Sequence, residues 1–272
     1  MRNLGLIRRP CEVSGIGILC VLVGFLFIHL SVGPAYSQAK TAAPPPDGTA
    51  IPVSFTHTID ARKEKQGNRI TAKTMQLVLY GPAESIAKGS LVLGHVVDVS
   101  YTGKYGPSTI TIKFDRIVDK HRTVPICASV RAMANSIEAY DATAESTSLD
   151  SGSPLGTTLV GGDHLWLGGK KVYATDHDIV GIRDRFGIFS RLEPAESNDG
   201  TSAACGGIPT LQSVAIFSSR ACGLYGFPET QMSSAGNTTP RGAIKLESNR
   251  YPVEIPSGSA GLLQIIRCDE SR

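Results

Sequence analysis

No run of five or six like charges occurs anywhere in the 272 residues, and the formal net charge is only +3. Residues 1–39 hold Arg2, Arg8 and Arg9 against Glu12, so the rest of the chain is nearly neutral. Binding nucleic acid takes a clustered basic face that neutralises phosphates. The chain supplies none, which argues against nucleic acid as the main partner. Its nearest approach, Arg62, Lys63 and Lys65, is broken by Glu64 and reads as a solvated turn. The signatures of catalysis are missing as well: no G-x-S-x-G, no H-E-x-x-H and no phosphate-cradling loop. No βαβ rhythm appears, which disfavours a parallel α/β sheet. No repeat recurs at a solenoid period. Aromatic residues are 6% of the chain, with a single tryptophan.

What is present begins with an export signal. Three arginines precede the uncharged apolar run 15–28, and small residues around Ser37 and Ala39 suit a signal peptidase. The alternative is a retained anchor, residues 15–33, near the lower length limit for crossing a bilayer. Either way the charge asymmetry sends the rest of the chain outward, to a periplasmic or secreted location. Residues 40–48, with three consecutive prolines, form a short extended linker.

From Thr49 onward the pattern is β. The stretch Ser90 to Ile117 carries two β-rich runs around Tyr101-Thr102-Gly103-Lys104-Tyr105-Gly106-Pro107. In the second run Ile110, Ile112 and Phe114 alternate with Thr109, Thr111 and Lys113, the period of a half-buried strand. Further short strands follow at roughly ten-residue spacing, as in a sandwich or barrel. The expected fold is mainly β: an antiparallel β-barrel or sandwich with one short amphipathic helix and an N-terminal signal or anchor helix. That short helix is placed at about 130–140 by Val130, Met133, Ile137 and Tyr140, whose apolar stripe should pack inward. Residues 49–140 form a barrel-like region and 141–154 a linker. Residues 155–268 form a second β-rich region, either separate or completing the same barrel. A hairpin is expected around Asp184-Arg185-Phe186-Gly187, and a strand over 213–218.

Cys11 and Cys20 fall in the targeting segment, leaving Cys127, Cys205, Cys222 and Cys268. Four thiols in an oxidising compartment allow three pairings. Cys205 with Cys222 is favoured because each lies beside glycine, where the backbone adapts to the close Cα approach a disulfide needs. Cys127 then pairs with Cys268 by elimination, unless Cys127 is a small buried apolar residue on its strand.

Histidines beside carboxylates are the candidates for chemistry: Asp163-His164 and Asp176-His177-Asp178. A hydrolase needs a nucleophile, a base and an orienting group converging in space, and a metal site needs three or four ligands. Neighbours along a strand point to opposite faces, so these pairs serve one site only from a loop. They read first as loop surface, and no catalytic, cofactor or metal residue is assigned. Trp166 reads as partly buried core, with a sugar-stacking platform as the alternative.

Several motifs occur in a telling order: Gly48-Thr49-Ala50-Ile51-Pro52-Val53, Thr58-Ile59-Asp60-Ala61-Arg62 and Gly67-Asn68-Arg69-Ile70-Thr71-Ala72 come first. Ile86-Ala87-Lys88-Gly89-Ser90, Gly94 and the run from Thr109 to Ile117 follow. Residues about 48–130 thereby resemble the β-barrel domain of the TrbI-like conjugation proteins, the core component of type IV secretion machines. Val253-Glu254-Ile255-Pro256-Ser257-Gly258 and Leu262 to Ile266 are similar to that family's last barrel strands. Gly161-Gly162-Asp163, Arg220 to Phe227 and Gly242 to Leu246 are similar to uncharacterised secreted bacterial proteins. The resemblance implies a non-enzymatic cell-envelope protein that binds or scaffolds. Its partners would be envelope proteins or its own copies, with the membrane touched only through an uncleaved N-terminal segment. The alternative is a secreted hydrolase or metal-binding domain using Asp163, His164, Asp176, His177 and Asp178.

Overall fold

The two β-rich runs of the central stretch become the long strands Leu91–Tyr101 and Ser108–Asp119, paired antiparallel. The computed structural model describes residues 40–41, 43–81, 84–120, 122–144, 156–199 and 204–268. The targeting segment 1–39 and most of the 141–154 linker lie outside the described residues.

Ile110, Ile112 and Phe114 all point into the core, and Phe114 meets Phe55 at 6.1 Å between ring centroids. Burying such side chains stabilises by about 1.5–3 kcal/mol each. Thr111, on the opposite face, is also buried: Asp98 and Lys245 flank it across the two neighbouring strands.

The main sheet curls into a nearly closed barrel. Its order runs Thr230–Ala235, Ile244–Ser248, Ser108–Asp119, Leu91–Tyr101, Arg69–Thr74, Ala50–Phe55, Ala260–Ile265 and Ala128–Ala134. The short strand Gly223–Tyr225 is added parallel to Ala128–Ala134, and Arg122–Pro125 pairs with the far half of Ser108–Asp119. The last strand therefore lies between two strands of the first half, and Ile244–Ser248 hydrogen-bonds to the central hairpin. One core draws Ile51, Phe55 and Phe114 together with Leu246, Ile255 and Leu263. The strands from Gly223 onward thus complete the barrel begun by the first region.

Residues 156–213 add an antiparallel six-stranded meander: Gly156–Thr158, His164–Trp166, Lys171–Tyr173, Ile179–Asp184, Gly187–Leu192 and Ile208–Ser213. The expected hairpin turns at Arg185-Phe186, with Asp184 opposite Gly187. The Gln76 amide attaches the meander to the barrel. It donates to the Ile188 carbonyl at 2.8 Å and accepts from the Ile188 N–H at 2.9 Å, as a neighbouring strand would.

Two expectations need correction. Val130 and Met133 belong to the strand Ala128–Ala134, all seven residues of which are buried. The helix begins only after Asn135, whose side-chain oxygen accepts from the N–H groups of Ile137 and Glu138, and spans Ser136–Asp141. Ile137 and Tyr140 are 66% and 71% exposed, so no stripe packs inward. A strand buried on both faces loses its two-residue alternation, and the remaining apolar spacing imitates a helix. The second correction concerns 213–218. The strand ends at Ser213, and the chain then turns, the Phe217 N–H bonding the Val214 carbonyl at 3.0 Å, with Phe217 left in a single bridge to Val160. Val214, Ile216 and Phe217 are buried as the filling of that turn.

Both disulfides are formed. Cys127 is joined to Cys268 with Cα atoms 5.5 Å apart, and Cys205 to Cys222 at 6.0 Å. They are compatible with an oxidising, extracellular or periplasmic location. Among the described residues no helix is long and apolar enough to cross a membrane.

Candidate functional site

The His–carboxylate clusters diverge rather than converge. Asp163 precedes the strand His164–Trp166 and is only 2% exposed. Its carboxylate accepts the Ser219 N–H at 2.7 Å. Burial pushes its pKa up, against the opposing pull of that hydrogen bond. His164 instead has its Nδ1 3.2 Å from Thr158 Oγ1, and its ring is stacked on Trp166 at 6.2 Å. Trp166 is accordingly half-buried on the meander.

Asp176, His177 and Asp178 make the turn before Ile179–Asp184, where His177 takes a left-handed φ of 71°. The Asp176 carboxylate lies 3.7 Å from the Arg220 guanidinium, which also donates to Glu193 at 2.6 Å. The acids thus gather about an arginine, and Arg220 has its pKa raised chiefly by Glu193. Among the described residues no three His, Cys, Asp or Glu side chains are placed to hold a metal ion.

A different site emerges where the barrel fails to close. Thr230–Ala235 pairs with Ile244–Ser248 along one edge and with no described strand along the other. Across the gap stand Gly223–Tyr225 and Ala128–Ala134. Ser197-Asn198-Asp199 plugs the middle of this seam. The Asn198 N–H donates to the Cys222 carbonyl at 3.2 Å on one lip. On the other, Asp199 Oδ2 accepts the Met232 N–H at 3.0 Å, while its Oδ1 accepts from the Ser197 hydroxyl at 2.6 Å. A side-chain carboxylate occupies the place of the missing strand's carbonyl.

Gly223 lets the plug approach. Its φ is +88°, and a Cβ there would stand 2.3 Å from Ser197 Oγ and 2.9 Å from the Asn198 nitrogen. Behind it lies Arg131, 2% exposed on its strand. The guanidinium donates to the carbonyls of Ala221 at 2.9 Å, Gly206 at 2.5 Å and Ser219 at 3.3 Å, and to that of Glu193. Burial lowers its pKa to about 10, so it remains charged at neutral pH. Together with the Cys205–Cys222 bond, Arg131 holds the loops that frame the seam.

The plug divides the seam into two hollows. The inner one, about 280 Å³, lies between Ser129–Arg131 and Met232–Ala235, beside the disulfide. The outer one, about 580 Å³, is lined by Asp199, Glu229, Glu247, Asn198, Gln231 and Asn249, with Leu224 and Phe227 as apolar floor. That size and mixture suit a binding cleft. Sequence reasoning missed it because Thr230–Ala235 is polar around one buried methionine and gives no strand signal. The cleft's residues come from three separate segments, 198–199, 224–231 and 247–249. Comparison with protein-family models, with curated proteins and with solved structures finds no match for this chain.

Proposed function

We propose that this protein is a non-enzymatic cell-envelope module that binds or scaffolds other envelope proteins through its barrel. Residues 1–39 export it, and it works in the periplasm or outside the cell, in keeping with the resemblance of residues about 48–130 to type IV secretion barrels. The observation that carries the reading is the open seam: an edge strand that pairs with no described strand on its outer side, in an otherwise almost closed barrel, facing a cleft. Unpaired edges are templates for association, and folds normally cover them. The two disulfides support the compartment. The hydrolase or metal-binding alternative is less well supported, since His164 lies against Thr158 and Trp166 while Asp163 beside it turns to Ser219.

Cross-linking in intact cells followed by pull-down from solubilised envelope tests the proposal. Recovery of defined envelope partners, or of cross-linked copies of the chain, is expected. A protein that stays in the cytoplasm, or that recovers neither partner nor second copy, would sink it.

A further inference from the structure

We infer that the seam receives an extended, lysine- or arginine-bearing segment of a partner polypeptide, which adds as a strand to the free edge of Thr230–Ala235. The inference deepens the binding-module reading and rests on it. Three observations carry it. First, among the described residues the edge strand has a hydrogen-bonded strand on one side only. An added strand would gain a main-chain ladder there, as in recognition by strand addition. Second, the Met232 N–H, an edge donor, is satisfied by the Asp199 side chain rather than by a main-chain carbonyl. A partner carbonyl replaces that carboxylate at no loss of hydrogen bonds to the edge.

Third, charge selects the occupant. Asp199, Glu229 and Glu247 line the outer cleft, and among the described residues no lysine or arginine lines it. Lys245 pairs with Glu247 at 3.2 Å from outside the cleft. An incoming cation meets a net acidic lining, in which Glu229 and Asp199 stand beside the Glu247–Lys245 pair. Once its Met232 contact is taken over by the added strand, the Asp199 carboxylate turns toward that cation in a charge-assisted hydrogen bond. An acidic strand would meet repulsion at the same positions.

Fluorescence anisotropy on the full-length protein tests this with three labelled heptapeptides. The first alternates lysine with threonine and valine, the second has glutamate for each lysine, and the third has the lysine sequence with two prolines at alternate positions. The lysine probe should bind at least tenfold more tightly than either of the others. The triple variant Asp199→Asn/Glu229→Gln/Glu247→Gln should lose about tenfold for the lysine probe. The proline comparison on the unaltered protein stands whether or not that variant folds. Equal binding of the lysine and proline probes would reduce the contact to charge and overturn strand addition. Equal binding of the lysine and glutamate probes, or none by the lysine probe, would overturn the site. If envelope pull-downs recover the same partners with the triple variant as with the wild type, the seam falls and the binding-module reading survives.

Discussion

At Asp163 a carboxylate looks catalytic in sequence and acts as a brace in the fold. It sits beside a histidine, yet it holds the Ser219 N–H and is nearly sealed from solvent. Its raised pKa means that the charged form is less at home in the folded than in the unfolded state. The unfolded chain therefore binds fewer protons between the two pKa values, and stability falls as pH rises through that window. Asp163→Asn keeps an acceptor for Ser219 and removes the charge, so it should be neutral or stabilising at pH 7, with the gain vanishing in acid. Asp163→Ala orphans a buried N–H and should cost about 1–3 kcal/mol. Thermal unfolding of both variants at pH 7 and at pH 3 checks the pair. Equal destabilisation by both at pH 7 would contradict the bracing role.

The central strand and the seam make opposite demands on the elements they join. Ser108–Asp119 packs Ile110, Ile112, Phe114 and Ile117 into the core, so Ile112→Asp places a carboxylate where nothing solvates it. The cost is about several kcal/mol, enough to unfold the barrel; an unchanged melting curve would refute the core assignment. At the seam, closure depends on a loop seated against a glycine. Gly223→Ala combines a left-handed φ with a Cβ pressed on the Asn198 backbone, and should cost about 1–3 kcal/mol. Its specific mark is faster hydrogen exchange at the Met232 amide, as the plug lifts. Uniform acceleration across the barrel would mean a global loss of stability instead.

Over the whole molecule the two disulfides have different reach. Cys205–Cys222 spans 17 positions and clips one loop beside the seam, whereas Cys127–Cys268 spans 141 and ties the end of the chain to the middle of the barrel. Chain-entropy reasoning gives about 3 kcal/mol for the short loop and about 5 kcal/mol for the long one. The double variant Cys127→Ser/Cys268→Ser should therefore lower the melting temperature more than Cys205→Ser/Cys222→Ser. Non-reducing peptide mapping of exported protein should find both links. Four free thiols would overturn the pairing and the compartment together.

The sequence by itself determined the β class, the central hairpin, the short turns and the favoured cysteine pair, because each rests on neighbours in the chain. Alternation at 109–114, Gly67 in its turn and glycines beside cysteines are local physics, and local physics is readable along one dimension. Cys127 with Cys268 followed only by elimination, and its alternative needed coordinates to settle. The boundary between strand and helix at Asn135 was obscured, since burial on both faces of Ala128–Ala134 erased the alternation that marks a strand. Tertiary structure alone decided the seam. Which edge is left without a described partner strand depends on eight strands curling together. The carboxylates of Asp199, Glu229 and Glu247 meet only because the Ser197–Asp199 plug lies between two lips joined through the whole barrel. The same closure parted Asp163 from His164, turning one inward to Ser219 and leaving the other against Trp166.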